Sequence, residues 1–121
     1  MKPAILIVDH GSRRRESNAQ LEALAERVRV RDPERFVTIA HMDLAEPSIA
    51  AGLAACAEAG VSEIVVHPYF LGPGHHTQRD IPHLVDEARR QHPEIVVRIS
   101  APLGLDDRIV DIVLERIDAA D

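Results

Sequence analysis

Tryptophan is absent from this chain, and Tyr69, Phe36 and Phe70 are its only other aromatic residues. A core built from such a sequence must be aliphatic. Base-stacking platforms for single-stranded nucleic acid need several exposed aromatics, so the composition argues against them. Cysteine is nearly missing too: Cys56 stands alone, which leaves no disulfide framework and no thiolate metal centre. Positive charge is in deficit, with 14 Lys and Arg against 20 Asp and Glu and a formal charge of −6. That balance argues against nucleic-acid and anionic-membrane partners, because phosphate surfaces reward cations. No apolar run approaches the length of a membrane span. The opening "KPAILIVDHGS" has too short an apolar stretch, and no cleavage site, for a signal peptide. These absences point to a reducing cytoplasm.

What is present reads as one domain spanning residues 1–121, with 45% apolar and 28% charged residues, ordinary values for a globular protein. Four apolar, β-branched runs, at 4–10, 35–42, 63–70 and 94–100, have the length and content of buried strands. Helical spacing fills the gaps. Leu21, Leu24, Ala25 and Val28 recur at i, i+3, i+4, i+7, with Ser17 and Gln20 as a capping box. A second helix is expected to open at Pro47 and stop at Gly60. A third follows Asp80, which suits an N-cap, and buries Ile81, Leu84, Val85 and Ala88. A fourth presents Ile109, Ile112, Val113 and Ile117. The order βαβαβαβα predicts a small flavodoxin-like α/β fold: a four-stranded parallel sheet flanked by helices, in strand order 2-1-3-4. Such sheets bind ligands at the carboxyl ends of their strands.

The segments beyond those ends are "DHGSRRRESN", "HMDLAEPS" and "HPYFLGPGHHTQRD". They hold five of the seven histidines, His10, His41, His67, His75 and His76, with Asp9, Asp43, Glu46 and Asp80. Imidazole and carboxylate on one rim suit a borderline divalent ion such as Fe²⁺, Co²⁺, Ni²⁺ or Zn²⁺. Without thiolates, a transient or catalytic site fits better than a closed structural one. Several of these residues also have plain structural readings. His41 and His67 lie in strands and read as satisfied buried histidines. Asp9 reads as a turn cap, Glu46 as a helix-start charge, and Asp43 as a loop residue or a functional one. Cys56 shares an apolar face with Ile49 and Leu53 and reads as core.

Taken together, "VDHGSRRRESN", "AHMDLAEPSI" and "HPYFLGPGHHTQRDIP" resemble the class II chelatases of the CbiX/SirB type, which insert Co²⁺ or Fe²⁺ into sirohydrochlorin. The pattern of the plant-type ferrochelatases is similar over nearly the whole chain. The resemblance implies that His10 and His76 bind the metal and act in catalysis. Gly74 and Asp80 fix the register that selects His76 over His75. It places the family's acidic residue on Asp43, one methylene shorter than the usual Glu. His75 falls where Arg is common, so a fixed positive charge is missing. Ser12, Arg13, Arg14, Gly74, His75 and Arg79 then fall to the substrate, whose carboxylates suit the basic groups, with Arg15 beside them. The metal, Fe²⁺ or Co²⁺ and after them Ni²⁺, is a substrate of such enzymes, and no tightly bound cofactor is expected. Short members of the family pair as homodimers. Two further readings of the same residues are a carrier that binds metal or tetrapyrrole without turnover and a histidine-phosphatase-like enzyme. The second is disfavoured, since Asp9 rather than Arg precedes the histidine and would repel phosphate.

Overall fold

The computed structural model describes residues 2–121. Strand β1 (Ala4–Asp9) is followed by helix α1 (Arg15–Arg31), β2 (Val37–His41), α2 (Ile49–Glu58) and β3 (Glu63–Pro68). A π-helical turn (His76–Asp80) then runs directly into α3 (Ile81–Arg89), before β4 (Val96–Ile99) and α4 (Asp107–Asp118). The four strands form one parallel sheet in the order β2-β1-β3-β4, the predicted architecture. The right-handed crossovers of such a sheet bring all strand carboxyl ends to one rim.

Alternation along β1 divides the core. Ala4, Leu6 and Val8 point to the face that α2 and α3 cover with Ile49, Leu53, Cys56, Ile81, Val85 and Ala88. Ile7, with Val37 and Ile39 of β2, meets Leu21 and Ala25 of α1 on the other face. Each layer is aliphatic, as the shortage of aromatics requires. Cys56 is fully buried in the first, and burial pushes its thiol pKa up to about 11, which makes it an inert packing residue.

Two helix starts differ from their sequence signals. Helix α1 begins at Arg15, so Ser17 lies inside the first turn and caps nothing. Asn18 braces the preceding loop instead: its Oδ1 accepts the Ser12 N–H at 3.0 Å and its Nδ2 donates to the Ser12 carbonyl at 2.7 Å. Helix α2 is capped by Ser48, whose Oγ accepts the Ala51 N–H at 3.2 Å, and Pro47 stands just outside the helix. The predicted stop holds, with Gly60 at φ +84°.

Helix α4 departs most from expectation. Asp106 caps it by accepting the Arg108 N–H, yet none of its residues is buried. Ile112, Val113 and Ile117, read from the sequence as its apolar positions, are 47%, 48% and 61% exposed. The connection before it is pinned elsewhere: the Leu103 and Gly104 N–H groups donate to the Phe70 and Leu71 carbonyls at 3.0 and 2.8 Å. Val96 of β4 is also bare, at 58%. By register Val65 and His67 of β3 lie level with Ile5 and Ile7, but the cluster under α1 stops at β1 and Tyr69.

Candidate active site

His10 leaves the end of β1, the central strand next to β2 and β3, and His76 opens the π-helical turn after β3. The fold brings their rings together, with centroids 4.8 Å apart and planes at 69°. Phe70, two residues past β3, also stacks against His76, at 6.1 Å and 26°. His76 thus contacts two rings, an imidazole edge-to-face and a phenyl nearly parallel.

Hydrogen bonds fix which nitrogen each ring presents. His10 Nδ1 lies 3.1 Å from the Gly11 carbonyl oxygen, and His76 Nδ1 lies 3.0 Å from Asp80 Oδ2. A carbonyl or carboxylate can only accept, so each neutral ring carries its proton on Nδ1. Both Nε2 lone pairs are then free. Asp80, expected to cap α3, makes no capping bond and has helical backbone angles. The π turn runs unbroken into α3, so no helix start exists at Asp80 to be capped, and its carboxylate turns back to His76. The cue was the i, i+4 spacing of His76 and Asp80, which matters once the helix is extended backwards.

Asp43 comes close by its backbone. Its N–H donates to the His10 carbonyl at 3.0 Å, and a Cβ on Gly11 (φ +92°) would overlap the Asp43 carbonyl oxygen. Only glycine allows that approach. The Asp43 carboxylate accepts the N–H of Leu44 at 2.8 Å and shares a groove with Met42, Asp80, His83 and Leu84. Among the described residues no three His, Cys, Asp or Glu side chains form a cage for a metal ion. The arrangement is an open imidazole pair with carboxylates beside it.

The remaining candidates lie in the segments on either side of these two histidines. Arg13 and Arg14 are exposed, and the Ser12 hydroxyl accepts the Arg14 N–H at 3.0 Å. Gly74, His75, Gln78 and Arg79 line one shallow depression. The Gly74 N–H donates to the Thr77 hydroxyl at 2.9 Å, which shapes the turn ahead of His76, and open space surrounds Gly72 and Gly74. Asp9, His10, Ser12, Asn18, Tyr69 and Phe70 line a second cavity on the α1 side of His10.

Both histidines expected to be structural have partners. His41, 2% exposed, places Nδ1 2.6 Å from Asp9 Oδ1, so Asp9 holds an imidazole rather than a turn. His67 Nδ1 lies 2.8 Å from the Ser100 hydroxyl, and burial lowers its pKa. Neither the Asp9 nor the Asp80 partnership was read from sequence.

The family model for CbiX matches residues 4–120. The chloroplastic sirohydrochlorin ferrochelatase of Arabidopsis thaliana is 44% identical over 93% of this chain and 50% of its own length. The sirohydrochlorin cobaltochelatase of Methanococcus maripaludis is 33% identical, over 93% of this chain and 96% of its own. Among solved structures, the sirohydrochlorin chelatase SirB of Bacillus subtilis subspecies spizizenii in complex with cobalt superposes with a TM-score of 0.91. It is 32% identical, over 98% of this chain and 50% of that one. The chain thus spans about half the length of the plant relative and nearly all of the methanogen one.

Proposed function

The chain belongs to the CbiX family, and from that premise we propose that it is a sirohydrochlorin metal chelatase. It inserts Fe²⁺ or Co²⁺ into sirohydrochlorin or a close tetrapyrrole relative, on the route to sirohaem or cobalamin. The observation that carries this reading is the imidazole pair, 4.8 Å apart, with each ring's Nδ1 beside a carbonyl or carboxylate oxygen.

Insertion replaces two pyrrole N–H protons by one divalent ion. His10 and His76 take up the ion through Nε2 and displace part of its water shell. As the ion passes to the macrocycle, each freed lone pair accepts one of the two protons, the general-base role to which imidazole is suited. An open pair can release its cargo, whereas a closed set of four ligands would retain it. Asp43 supplies negative charge beside the pair, and Asp80 holds His76 in the right tautomer. Ser12, Arg13, Arg14, Gly74, His75 and Arg79 form the rim against which the substrate and its carboxylates lie. Iron is favoured by the similarity to the plant ferrochelatase, cobalt comes next, and nickel fits the same donors.

We further propose that this single domain works as a homodimer in the cytoplasm. The bare apolar side of α4 and the face of β3 and β4 that the α1 cluster leaves uncovered support a second copy as partner. A flat macrocycle facing a single rim is covered on one side only.

Anaerobic insertion into sirohydrochlorin, followed by its visible spectrum, tests the reading with Fe²⁺, Co²⁺ and Ni²⁺ in parallel. Multiple turnovers that are lost in His10→Ala and in His76→Ala are expected. Binding of one equivalent of tetrapyrrole without faster insertion would refute catalysis. A carrier would then be the better account, a role that the turning of the Asp43 carboxylate towards Leu44 would suit.

A further inference from the structure

The buried pair Asp9 and His41 belongs to no step of that mechanism, yet it sits where both halves of the site begin. Asp9 and His41 form the last rung of the β1–β2 ladder. Their side chains meet at 2.6 Å, with His41 2% and Asp9 22% exposed. The next residues continue the pairing: the Met42 N–H donates to the Asp9 carbonyl at 2.8 Å and the Asp43 N–H to the His10 carbonyl at 3.0 Å. The His41 N–H donates to the Pro47 carbonyl at 2.8 Å, which closes the loop that carries Asp43. Gly11 removes the one side chain that would hold these segments apart.

A polar pair is a costly way to join two strand ends. Apolar residues of similar volume serve stability as well or better, because burying charged or polar groups sacrifices their hydration. What the pair adds is direction, since a 2.6 Å contact between planar groups fixes the relative position of two backbones more narrowly than aliphatic packing. We infer that Asp9 and His41 are positioning residues that set where His10 leaves β1 and where the Asp43 loop lies against it. The inference rests on the chelatase reading for its consequence and on the geometry for its existence.

The test replaces the pair by Asp9→Leu with His41→Phe, and separately makes Asp9→Asn and Asp9→Ala. Three readouts are taken: thermal melting, Co²⁺ affinity of the protein alone by visible absorption, and kcat and KM for insertion into sirohydrochlorin. The apolar double variant is expected to melt close to wild type. Its Co²⁺ affinity and kcat fall roughly 10-fold or more, the range seen when groups that orient metal-binding histidines are removed, while KM moves little. Asn at position 9 still accepts from His41 Nδ1–H, so Asp9→Asn keeps most of the activity that Asp9→Ala loses. A folded double variant with wild-type Co²⁺ affinity and kcat would overturn the inference. If the double variant fails to fold, equal activity of Asp9→Asn and Asp9→Ala overturns it instead. Wild-type protein that shows no insertion at all would refute the chelatase reading, and Co²⁺ affinity would still decide the role of the pair.

Discussion

Removing the Asp80 carboxylate separates the capping role read from sequence from the His76 contact found in the structure. As an N-cap its loss would cost about 1 kcal/mol, a fall of roughly 4 °C in melting temperature for a domain of this size. In the structure Asp80 makes no capping bond and instead meets His76 Nδ1 at 3.0 Å, with the two side chains 44% and 47% exposed. An exposed i, i+4 pair of this kind contributes roughly 0.3–0.5 kcal/mol to stability, so Asp80→Ala is expected to melt within ~2 °C of wild type. The effect belongs to the ring. Without its acceptor, His76 can place the proton on either nitrogen and can turn about its side-chain torsions. A loss of ~1 kcal/mol in orientation corresponds to about a fivefold fall in insertion. Asp80→Asn, whose amide oxygen can still accept from Nδ1–H, should recover most of it. The assay is anaerobic Co²⁺ insertion into sirohydrochlorin beside a melting curve for each variant. Wild-type insertion in Asp80→Ala, or a melting loss of several degrees with insertion intact, would refute the orienting role.

Other expectations follow from the fold. Changing Ile112→Glu with Ile117→Glu on α4 should leave the melting of the isolated domain unchanged, since neither residue is buried. The same change should dissociate the proposed homodimer, as light scattering behind size exclusion would report. Gly11→Ala should cost about 1–2 kcal/mol from the positive φ alone, and more once the new Cβ meets the Asp43 carbonyl oxygen, as the urea midpoint would measure. His67 has a lowered pKa in the fold because burial disfavours its charged form. The unfolded chain then binds more protons, so the stability His67 contributes is full above about pH 6.5. That stability is lost as pH falls through the ordinary value towards the lowered one. Urea unfolding at pH 7.5 and 5.5 should show a smaller acid loss for His67→Asn than for wild type, and an equal loss would contradict this.

The strands were legible because a parallel sheet demands continuous aliphatic runs, and few other structures use them. Alternation of strand and helix narrowed the fold to parallel sheets with helices on both faces, of which the order 2-1-3-4 is one, and a carboxyl-end rim is common to them. The rim alone left five histidines open, and His10 and His76 were singled out by the resemblance of three separated motifs to the chelatases. Less was legible where two residues matter only through each other. Asp9 and His41 lie far apart in sequence, and nothing local in either segment marks the bond between them. Asp80 misled for a different reason: an acidic residue before an apolar helix is usually a cap, and only the continuation of the helix through His76 frees its carboxylate. The helical period of α4 was read correctly, but periodicity identifies an apolar face without saying which molecule covers it.

The turn that carries His76 has a cost built into its geometry. A π-helical turn is an α-helix with one residue too many, and its hydrogen bonds close less well than those of the regular form. Deleting a single residue between positions 76 and 80 would let α3 run on as ordinary α-helix. It would also swing the imidazole about 100° around the axis, away from its neighbours. Any pressure towards a firmer helix therefore acts against the placement of the ring. The extra residue is tolerated only while something other than folding rewards it, and comparing the stability and activity of that deletion would weigh the two demands in one chain.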